Sequence, residues 1–284
     1  MEAQNKISLV FIGQKNFYTE FLVDWLSQLT TLKGVIWTAS DRHSKSYKFH
    51  FLRRRMKRFG FFRSLSEVLY YISTLRYRRK DTQALLELIS KARDEMIMNP
   101  ASAPQVEVCS LSDGKAVDLL KQSEPDVILT QCINEIISES VFSLPKIGCF
   151  VYHEGIVPKY RGKFCTHWAL MNREFDQIGA SLIKVGRGLD TGPIAFTEAV
   201  RPEGAGRRHG WWEHEVLYLA LPRLKKWIED ISAGRIELTE QQGTYPIYSY
   251  PVFSHLFKIG RRAREYERWR SEKGSAKKEG QSLP

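Results

Sequence analysis

A histidine and an aspartate stand where two apolar segments of the chain end. His153 closes the apolar run at 148–152, and Asp190 lies in the glycine-rich turn at 186–193 that follows the run at 179–185. Near neutral pH an imidazole can give a proton to a reacting group or take one from it. A carboxylate beside the imidazole can hold it in the required protonation state. The pair therefore predicts acid–base chemistry, provided that the fold brings the two side chains together.

The first 130 residues have the pattern of a sheet covered by helices. Apolar runs of strand length alternate with segments whose apolar residues recur at helical spacing. This alternation predicts an α/β fold with a mostly parallel, twisted sheet flanked by helices, Rossmann-like in its layers. Such folds bind ligands at the carboxyl ends of their strands, which is where His153 and Asp190 stand. We expect strands at 7–12, 35–39, 106–109 and 127–130, and helices after Asn16, at 85–96 and around 117–120.

The turn after the first predicted strand argues against nucleotide cofactors. It reads Gly13-Gln14-Lys15-Asn16, with a single glycine. A phosphate cradle needs two or three glycines, because the backbone must approach the ligand closely. We therefore expect neither a nicotinamide cofactor nor a nucleoside triphosphate at this edge of the sheet.

The positive charge is concentrated in an insert and a tail. The net charge is +11, and the insert at about 41–80 alone holds thirteen Lys and Arg against two acids, with many aromatic residues between them. A basic tail occupies 258–284, and we expect its last dozen residues to be disordered. The rest of the chain is slightly acidic, which argues against nucleic-acid binding. Arg53, Arg54 and Arg55 lie either on a solvated face or on a contact surface for an anionic substrate or a membrane headgroup layer.

The cysteines and the hydropathy are typical of a cytoplasmic protein. The four cysteines are spread singly and form no Cys-x-x-Cys pair, so we expect reduced core residues and no metal site. The N-terminus leads directly into the first predicted strand, without the apolar region and cleavage site of a signal peptide. No apolar run approaches the roughly 20 residues of a transmembrane helix.

Two motifs resemble those of the formyltransferase family, in particular the catalytic domains of methionyl-tRNA and sugar N-formyltransferases. The family's hallmark is Asn-x-His-Pro-Ser-Leu-Leu-Pro-x-Tyr-Arg-Gly, followed some tens of residues later by Gly-Leu-Asp-Thr-Gly. The resemblance covers roughly 7–40 and 105–235, and it implies a catalytic domain at 1–257 that carries the insert, with the tail at 258–284 beyond it. The matching residues are His153, Pro158, Tyr160, Arg161, Gly162, Trp168, Ala169, Leu170, Gly179, Gly188, Leu189, Asp190, Thr191 and Gly192.

The resemblance implies a donor, a reaction and roles for the site residues. Members of the family use 10-formyltetrahydrofolate to formylate primary amines. Carried over to this chain, His153 donates a hydrogen bond to the oxygen that becomes negatively charged. Asp190 holds the protonation state of the imidazole and helps to remove the proton from the attacking nitrogen. The residues implied to contact the folate are Ile133, Asn134, Glu135, Ile136 and Gly188.

This chain departs from the family pattern beside the histidine. The family's Asn is replaced by Val151, whose side chain has no polar atom. Loss of one oxyanion donor typically lowers a rate about 100- to 1,000-fold. Gln131, Asn134 and Thr166 are the candidates to supply a donor in its place. Glu154 stands where the family has proline, either as a solvated acid or as a residue of the site.

The sequence leaves open which amine is the acceptor and whether the chain is an active formyltransferase. We expect a small-molecule amine as the acceptor, such as an amino-sugar nucleotide or another biosynthetic amine. We do not expect aminoacyl-tRNA, whose enzymes carry an additional C-terminal barrel, or glycinamide ribonucleotide, whose enzymes have a glycine-rich phosphate loop. One alternative is a catalytically degenerate member that binds folate or a partner, and another is hydrolysis of formyltetrahydrofolate. We interpret His167, His209 and His214 as surface or packing residues, and the oligomeric state is left open.

Overall fold

A seven-stranded sheet forms the centre of the molecule. The computed structural model describes residues 6–39, 45–96, 98–133, 135–203 and 212–279. The elements are β1 (Ser8–Gly13), α1 (Phe17–Leu29), β2 (Thr31–Thr38), α2 (Lys45–Phe59), α3 (Phe61–Met96), β3 (Gln105–Val108), α4 (Gly114–Ser123), β4 (Val127–Gln131), α5 (Glu139–Phe142), β5 (Gly148–Glu154), β6 (Arg161–Gly162), α6 (Cys165–Met171), β7 (Gly179–Lys184), β8 (Ile194–Ala199), α7 (Trp212–Leu219), α8 (Leu221–Ser232), β9 (Ile247–Tyr248) and α9 (His255–Glu279).

The sheet order places a topological switch beside the predicted site. The order is β3-β2-β1-β4-β5-β7-β8. The first five strands are parallel, whereas β7 is antiparallel to both of its neighbours. The chain winds outward in opposite directions from β1 and β4, so a crevice opens at their carboxyl ends, next to β5. The predicted α/β fold with a mostly parallel sheet is confirmed.

Residue alternation along the strands divides the core into two layers. Leu9 and Phe11 of β1 pack into the larger apolar cluster, while Val10 and Ile12 pack into the smaller cluster against α4. Both faces of the central strands are buried, as expected for a parallel sheet covered by helices on both sides.

Local signals in the sequence explain how α1 begins. The Asn16 side chain accepts hydrogen bonds from the backbone N–H groups of Tyr18 and Thr19, and the Thr19 hydroxyl accepts one from the Asn16 N–H. This reciprocal arrangement satisfies backbone donors that a helix start leaves open. The predicted cap at Asn16 is confirmed.

The basic insert is helical and joins the body through its inner side. Gly60, at a φ of +84°, separates α2 from α3, and glycine adopts this left-handed conformation without strain. The Arg55 guanidinium binds both carboxylate oxygens of Glu67 and approaches the Ser249 hydroxyl at 3.3 Å. The Phe253 N–H donates to the carbonyl oxygen of Ser66 at 3.0 Å. These contacts fasten the hairpin of α2 and α3 to the segment that precedes α9.

The C-terminal third is mainly helical. Helices α7 and α8 follow each other directly, with Pro222 in the first turn of the second. A proline fits there because the first turn leaves its backbone nitrogen without an intrahelical partner. Helix α9 extends through the tail to Glu279, and Ile259, Ala263 and Tyr266 are buried against the body. Of the last dozen residues, which the sequence analysis expects to be disordered, 273–279 are part of α9 and 280–284 lie outside the described residues.

Two further expectations can be compared with the structure. Cys149 and Cys165 are buried, but Cys109 and Cys132 are exposed because each follows the last residue of a strand and begins a loop. The prediction that all four cysteines lie in the core was therefore wrong for two of them. None of the helices in the described part of the chain is long and apolar enough to cross a bilayer.

Candidate functional site

His153 is the penultimate residue of β5, so its imidazole lies at the carboxyl end of the sheet. The imidazole Nε2 lies 3.2 Å from the carbonyl oxygen of Tyr160. A carbonyl oxygen only accepts, so Nε2 is the donor in this bond and Nδ1 is left to face other groups. The Cys165 sulfur lies 3.6 Å from the same Nε2. Burial raises the pKa of Cys165 well above its usual value, so the sulfur stays a thiol and not a nucleophilic thiolate.

Asp190 is held in place by backbone groups and by a residue far along the chain. Its φ of +51° is left-handed, a conformation that aspartate tolerates better than most residues. The Gly162 N–H donates to its Oδ2 at 3.0 Å, and the Gln241 amide donates to its carbonyl oxygen at 3.0 Å. The same amide donates to the carbonyl oxygen of Gly192 at 2.7 Å, which closes the turn.

The fold brings the two side chains together. Nδ1 of His153 lies 4.0 Å from Oδ2 of Asp190, and the two side chains are only 9% and 10% exposed. Burial strengthens the interaction of a charged carboxylate with an imidazolium, because little water screens it. Hydrogen bonds of this kind are often long in a free enzyme and tighten when substrate binds. The pair can therefore exchange and hold a proton in a site that excludes bulk water.

The loop after β5 passes directly over the imidazole. Gly155 has a φ of +143°, and a Cβ there would lie 2.5 Å from the Tyr160 carbonyl oxygen and 2.9 Å from His153 Nε2. A side chain at this position would push the loop off the histidine. Glycine therefore allows the close approach that fixes the imidazole through Tyr160.

Glu154 is neither a solvated acid nor a partner of the histidine ring. Strand alternation points it to the opposite face of the sheet from His153. Its carboxylate accepts hydrogen bonds from the backbone N–H groups of Cys165 and Thr166, at the start of α6. Burial raises the pKa of Glu154, while these hydrogen bonds and the nearby imidazole act in the opposite direction. Its position indicates that it fixes α6 behind the site.

Val151 lies on the same face as His153 and has an uncompensated hydroxyl beside it. Thr130 of β4 is in register with Val151, and paired residues of parallel strands point to the same face. Thr130 is fully buried, and its hydroxyl oxygen has no hydrogen-bond partner among the described residues. Gln131 follows on the other face, where its buried Oε1 likewise lacks a partner while its Nε2 lies 2.9 Å from the Cys132 sulfur. Buried polar atoms in folded proteins almost always have partners, so these two atoms are exceptions at the end of β4, one on each face of the sheet.

The loop after β4 presents the residues implied to contact folate in different directions. Ile133 packs against the smaller core cluster. The Glu135 carboxylate accepts hydrogen bonds from the Ser110 hydroxyl at 2.6 Å and the Leu111 N–H at 3.0 Å, so it faces the body. Ile136 is 90% exposed and free to cover a ligand. Asn134 lies outside the described residues. Gly188 lies in the turn before Asp190, close to Thr191.

Two further histidines, His167 and His214, are buried. His167 is buried, and its Nδ1 lies 3.4 Å from Oε1 of Glu213. His214 stacks on Tyr18 with a centroid distance of 4.9 Å, and burial lowers its pKa to about 4. Burial and the charge of Glu154 raise the pKa of Glu213 well above its usual value. His209 lies outside the described residues.

Three contributors to the site were not found from the sequence. Gly162 was recognised as part of a motif, but only the fold shows that its N–H is the group that orients Asp190. Gln241 gave no local signal, because it lies far along the chain from the turn it closes. Thr130 was placed in a predicted strand, yet its position beside Val151 depends on the pairing of β4 with β5.

Comparisons with known proteins show what this α/β chain, with its buried His–Asp pair at the carboxyl edge of the sheet, is similar to. Residues 78–202 match the family model described as formyl transferase. The chain is 32% identical over 140 residues to methionyl-tRNA formyltransferase from Kosmotoga olearia, covering 49% of this chain and 44% of that protein. It is 30% identical over 146 residues to the enzyme of that name from Thermotoga maritima, covering 51% and 46%. Over these stretches the chain is similar to formyltransferases, as its motifs indicate.

Solved structures share the fold at low sequence identity. A 4-N formyltransferase from Francisella tularensis matches with a TM-score of 0.51 and 12% identity, covering 91% of this chain and 88% of that one. HypX from Aquifex aeolicus, in complex with tetrahydrofolic acid, also gives a TM-score of 0.51 and 12% identity, covering 91% of this chain and 34% of that one. The chain spans less than half the length of the curated relatives named above.

Proposed function

We propose that this protein transfers the formyl group of 10-formyltetrahydrofolate to a primary amine. The observation that carries the proposal is the buried pair of His153 and Asp190, 4.0 Å apart at the carboxyl edge of the sheet. The similarity of residues 78–202 to the formyl transferase family model supports both the donor and the type of reaction. The donor supplies an electrophilic formyl carbon next to its N10 nitrogen.

The two side chains take distinct parts in the proposed mechanism. Nε2 of His153 is tied to the Tyr160 carbonyl, so Nδ1 is the nitrogen that holds or gives the proton. The protonated imidazole stabilises negative charge as it develops on the formyl oxygen. Asp190 stabilises that imidazolium and accepts, directly or through a water, the proton that the attacking amine loses. The adduct then breaks its bond to N10 as the carbonyl re-forms, and the leaving N10 takes up this proton to give tetrahydrofolate. The Gly162 N–H keeps the carboxylate turned toward the ring throughout.

The residues around the pair fit a polar, flat ligand such as the folate ring system. The uncompensated hydroxyl of Thr130 and amide oxygen of Gln131 lie at the end of β4, and each can hydrogen-bond a polar group. Ile136 and Gly188 lie on the two exposed loops that follow β4 and β7. We propose that Ile133 to Ile136 line one wall of the folate site and that Gly188 lies on the other. Any oxyanion donor in place of the family's Asn would come from Thr130, Gln131, Asn134 or Thr166.

We propose that the acceptor is the primary amine of a small molecule in the cytoplasm, such as an amino-sugar nucleotide or another biosynthetic amine. The slightly acidic body supports a small acceptor over a nucleic acid. The curated relatives are named for methionyl-tRNA, and this chain matches less than half of their length.

The proposal is tested by incubating the full chain with 10-formyltetrahydrofolate and separate amines. The panel contains an amino-sugar nucleotide, a simple primary amine, methionyl-tRNA and water alone. Release of tetrahydrofolate and a formylated product, detected by mass spectrometry, are expected with one of the amines. Donor loss with water alone would instead support hydrolysis. Intact donor in every mixture, despite measurable folate binding, would support a degenerate, binding member.

A further inference from the structure

The first half of helix α3 exposes a stripe of large apolar side chains to solvent, the reverse of an ordinary surface helix. A surface helix ordinarily buries its apolar stripe and exposes its polar face. Here the side toward the body over the first half of the helix buries Ser64, Tyr70 and Thr74, and aliphatic residues are buried only in the second half, at Leu85, Ile89 and Ala92. The opposite side is an exposed apolar stripe with steps of three and four residues, made of Phe61, Phe62, Leu65, Val68, Leu69, Ile72 and Leu75.

The neighbouring elements extend this surface. Leu52 and Met56, one turn apart on α2, are exposed. At the start of α9, Phe253 and Phe257 are exposed and their rings meet edge to face. The Phe253 N–H donates to the carbonyl oxygen of Ser66, which places the backbone just before α9 beside the first turns of α3. We name the α3 stripe together with Leu52, Met56, Phe253 and Phe257 the apolar face. Continuous exposed apolar areas of this kind mark interaction surfaces.

The charges next to the apolar face have one sign. Arg53, Arg54, Lys57 and Arg58 are exposed on α2, with Arg53 and Lys57 beside Leu52 and Met56 along the helix. Between residues 42 and 80 the only acid is Glu67. Its side chain is 10% exposed and lies in the ion pair with Arg55. Apart from this ion pair, the sequence from 42 to 80 holds no acid to balance the cations that face solvent.

Arg55 does not belong to the contact surface that the sequence indicated. Its side chain is only 14% exposed, because it binds Glu67 and Ser249 and lies 4.3 Å from the centre of the Phe59 ring. It fixes the hairpin on the body. The contact surface is formed by Arg53 and Arg54 with Lys57, Arg58 and the apolar face.

We propose that the apolar face with its adjacent cations binds the surface of a bilayer that contains anionic lipids. An in-plane helix with large apolar side chains on one side and Lys and Arg beside them suits the boundary between headgroups and acyl chains. Anionic headgroups attract cations at that depth. A second copy of the chain would place this uncompensated positive charge against itself. A nucleic acid would meet a stripe that is mainly aliphatic, which offers its bases little stacking.

The test measures co-sedimentation of the full chain with vesicles of phosphatidylcholine alone and of phosphatidylcholine mixed with phosphatidylglycerol. We expect binding to the anionic vesicles only, weakened by salt. Leu69→Glu with Ile72→Glu should abolish binding. Arg53→Gln with Lys57→Gln should weaken it about fivefold per cation removed. The matched controls are Ile236→Glu, which changes an exposed apolar residue elsewhere, and Lys115→Gln with Lys121→Gln on α4, and they should bind as the wild type does.

Thermal unfolding of each variant shows whether it is folded, and sedimentation velocity shows its oligomeric state. The proposal is overturned if the wild type stays in solution with anionic vesicles. It is also overturned if folded Leu69→Glu/Ile72→Glu protein binds them unchanged. A wild-type dimer that this double variant dissociates would assign the apolar face to a second copy instead. These readouts do not depend on formyl transfer, so loss of the proposed activity and loss of vesicle binding are distinguishable.

Discussion

The Oδ2 atom of Asp190 lies 4.0 Å from Nδ1 of His153 and accepts a hydrogen bond from the Gly162 N–H at 3.0 Å. The aspartate is therefore aimed at the imidazole by the backbone of the loop that also passes over the histidine. The Gly162 N–H stays in place when the side chain of residue 190 is replaced, so the orientation of that side chain should survive changes that alter only its charge. A mutation can therefore remove the charge of Asp190 and keep the position of its side chain, which makes the role of the pair testable.

Asp190→Asn should lower kcat/KM for formyl transfer about 100- to 10,000-fold, the usual contribution of a general acid or base. The amide oxygen still accepts from Gly162, so the thermal midpoint should stay close to that of the wild type. His153→Ala should cause a loss of similar size. Asp176→Asn, on an exposed residue away from the pair, is the matched control and should keep full activity. Full activity of a folded Asp190→Asn enzyme would contradict the assigned role.

Val151→Asn should raise the rate of formyl transfer by restoring an amide donor on the face of His153. The introduced amide also gains a neighbour, because the uncompensated Thr130 hydroxyl lies on the adjacent strand in register with it. Steady-state kinetics measure the gain, and a denaturation curve checks that the variant is folded. An unpaired buried amide would cost about 1–3 kcal/mol, so unchanged stability would show that it has found a partner. A slower but stable variant would mean that another group already occupies the donor's place.

The Thr130→Val variant tests whether the Thr130 hydroxyl is the group that donates to the reacting oxygen in place of the family's Asn. The two side chains have the same shape, and removal of a buried hydroxyl without a partner should leave stability unchanged or slightly higher. If Thr130 donates to the reacting oxygen, this stable variant should lose activity, by about 100-fold or more. Equal rates for Thr130→Val and the wild type would leave Gln131, Asn134 and Thr166 as candidates, each of which is then replaced singly.

Tetrahydrofolate should raise the thermal midpoint of the protein. A ligand that binds only the folded state at 100 times its Kd adds about 2.7 kcal/mol. Ile136→Asp should reduce the shift, because this exposed side chain stands on the loop proposed to cover the folate. Ile236→Asp, at another exposed isoleucine, should leave the shift intact. Absence of a shift at millimolar ligand in the wild type would count against the folate site.

The sequence predicted the parts of the fold and site that local patterns specify. Apolar runs gave the strands, the Asn16 cap gave the start of α1, and the motifs gave His153 and Asp190 as partners. What it missed depends on pairings between distant segments. The role of Gln241 and the neighbourhood of Thr130 and Val151 follow from contacts across the sheet and its loops. The exposed apolar stripe of α3 has the same periodicity as a buried one, so periodicity alone could not tell which side faces solvent.

His214 should make folding stability depend on pH between about 6.5 and 4. An unfolded histidine titrates near 6.5, whereas burial lowers the pKa of folded His214 to about 4. As the pH falls through this window the unfolded state binds a proton that the folded state does not, so the free energy of unfolding decreases. The full difference corresponds to roughly 3 kcal/mol. Above pH 6.5 neither state is protonated, and the contribution vanishes.

The measurement compares His214→Gln with the wild type by urea unfolding across this pH range. Loss of the stacking on Tyr18 lowers the stability of the variant by an amount that does not change with pH. Glu213, whose pKa is raised, binds protons more readily in the folded state and so stabilises the fold as the pH falls. That contribution is present in both proteins and cancels in their difference. The stability advantage of the wild type should therefore shrink steadily from pH 6.5 to 4 and level off below. A difference that stays constant over the whole range would show that His214 takes up its proton within the folded protein.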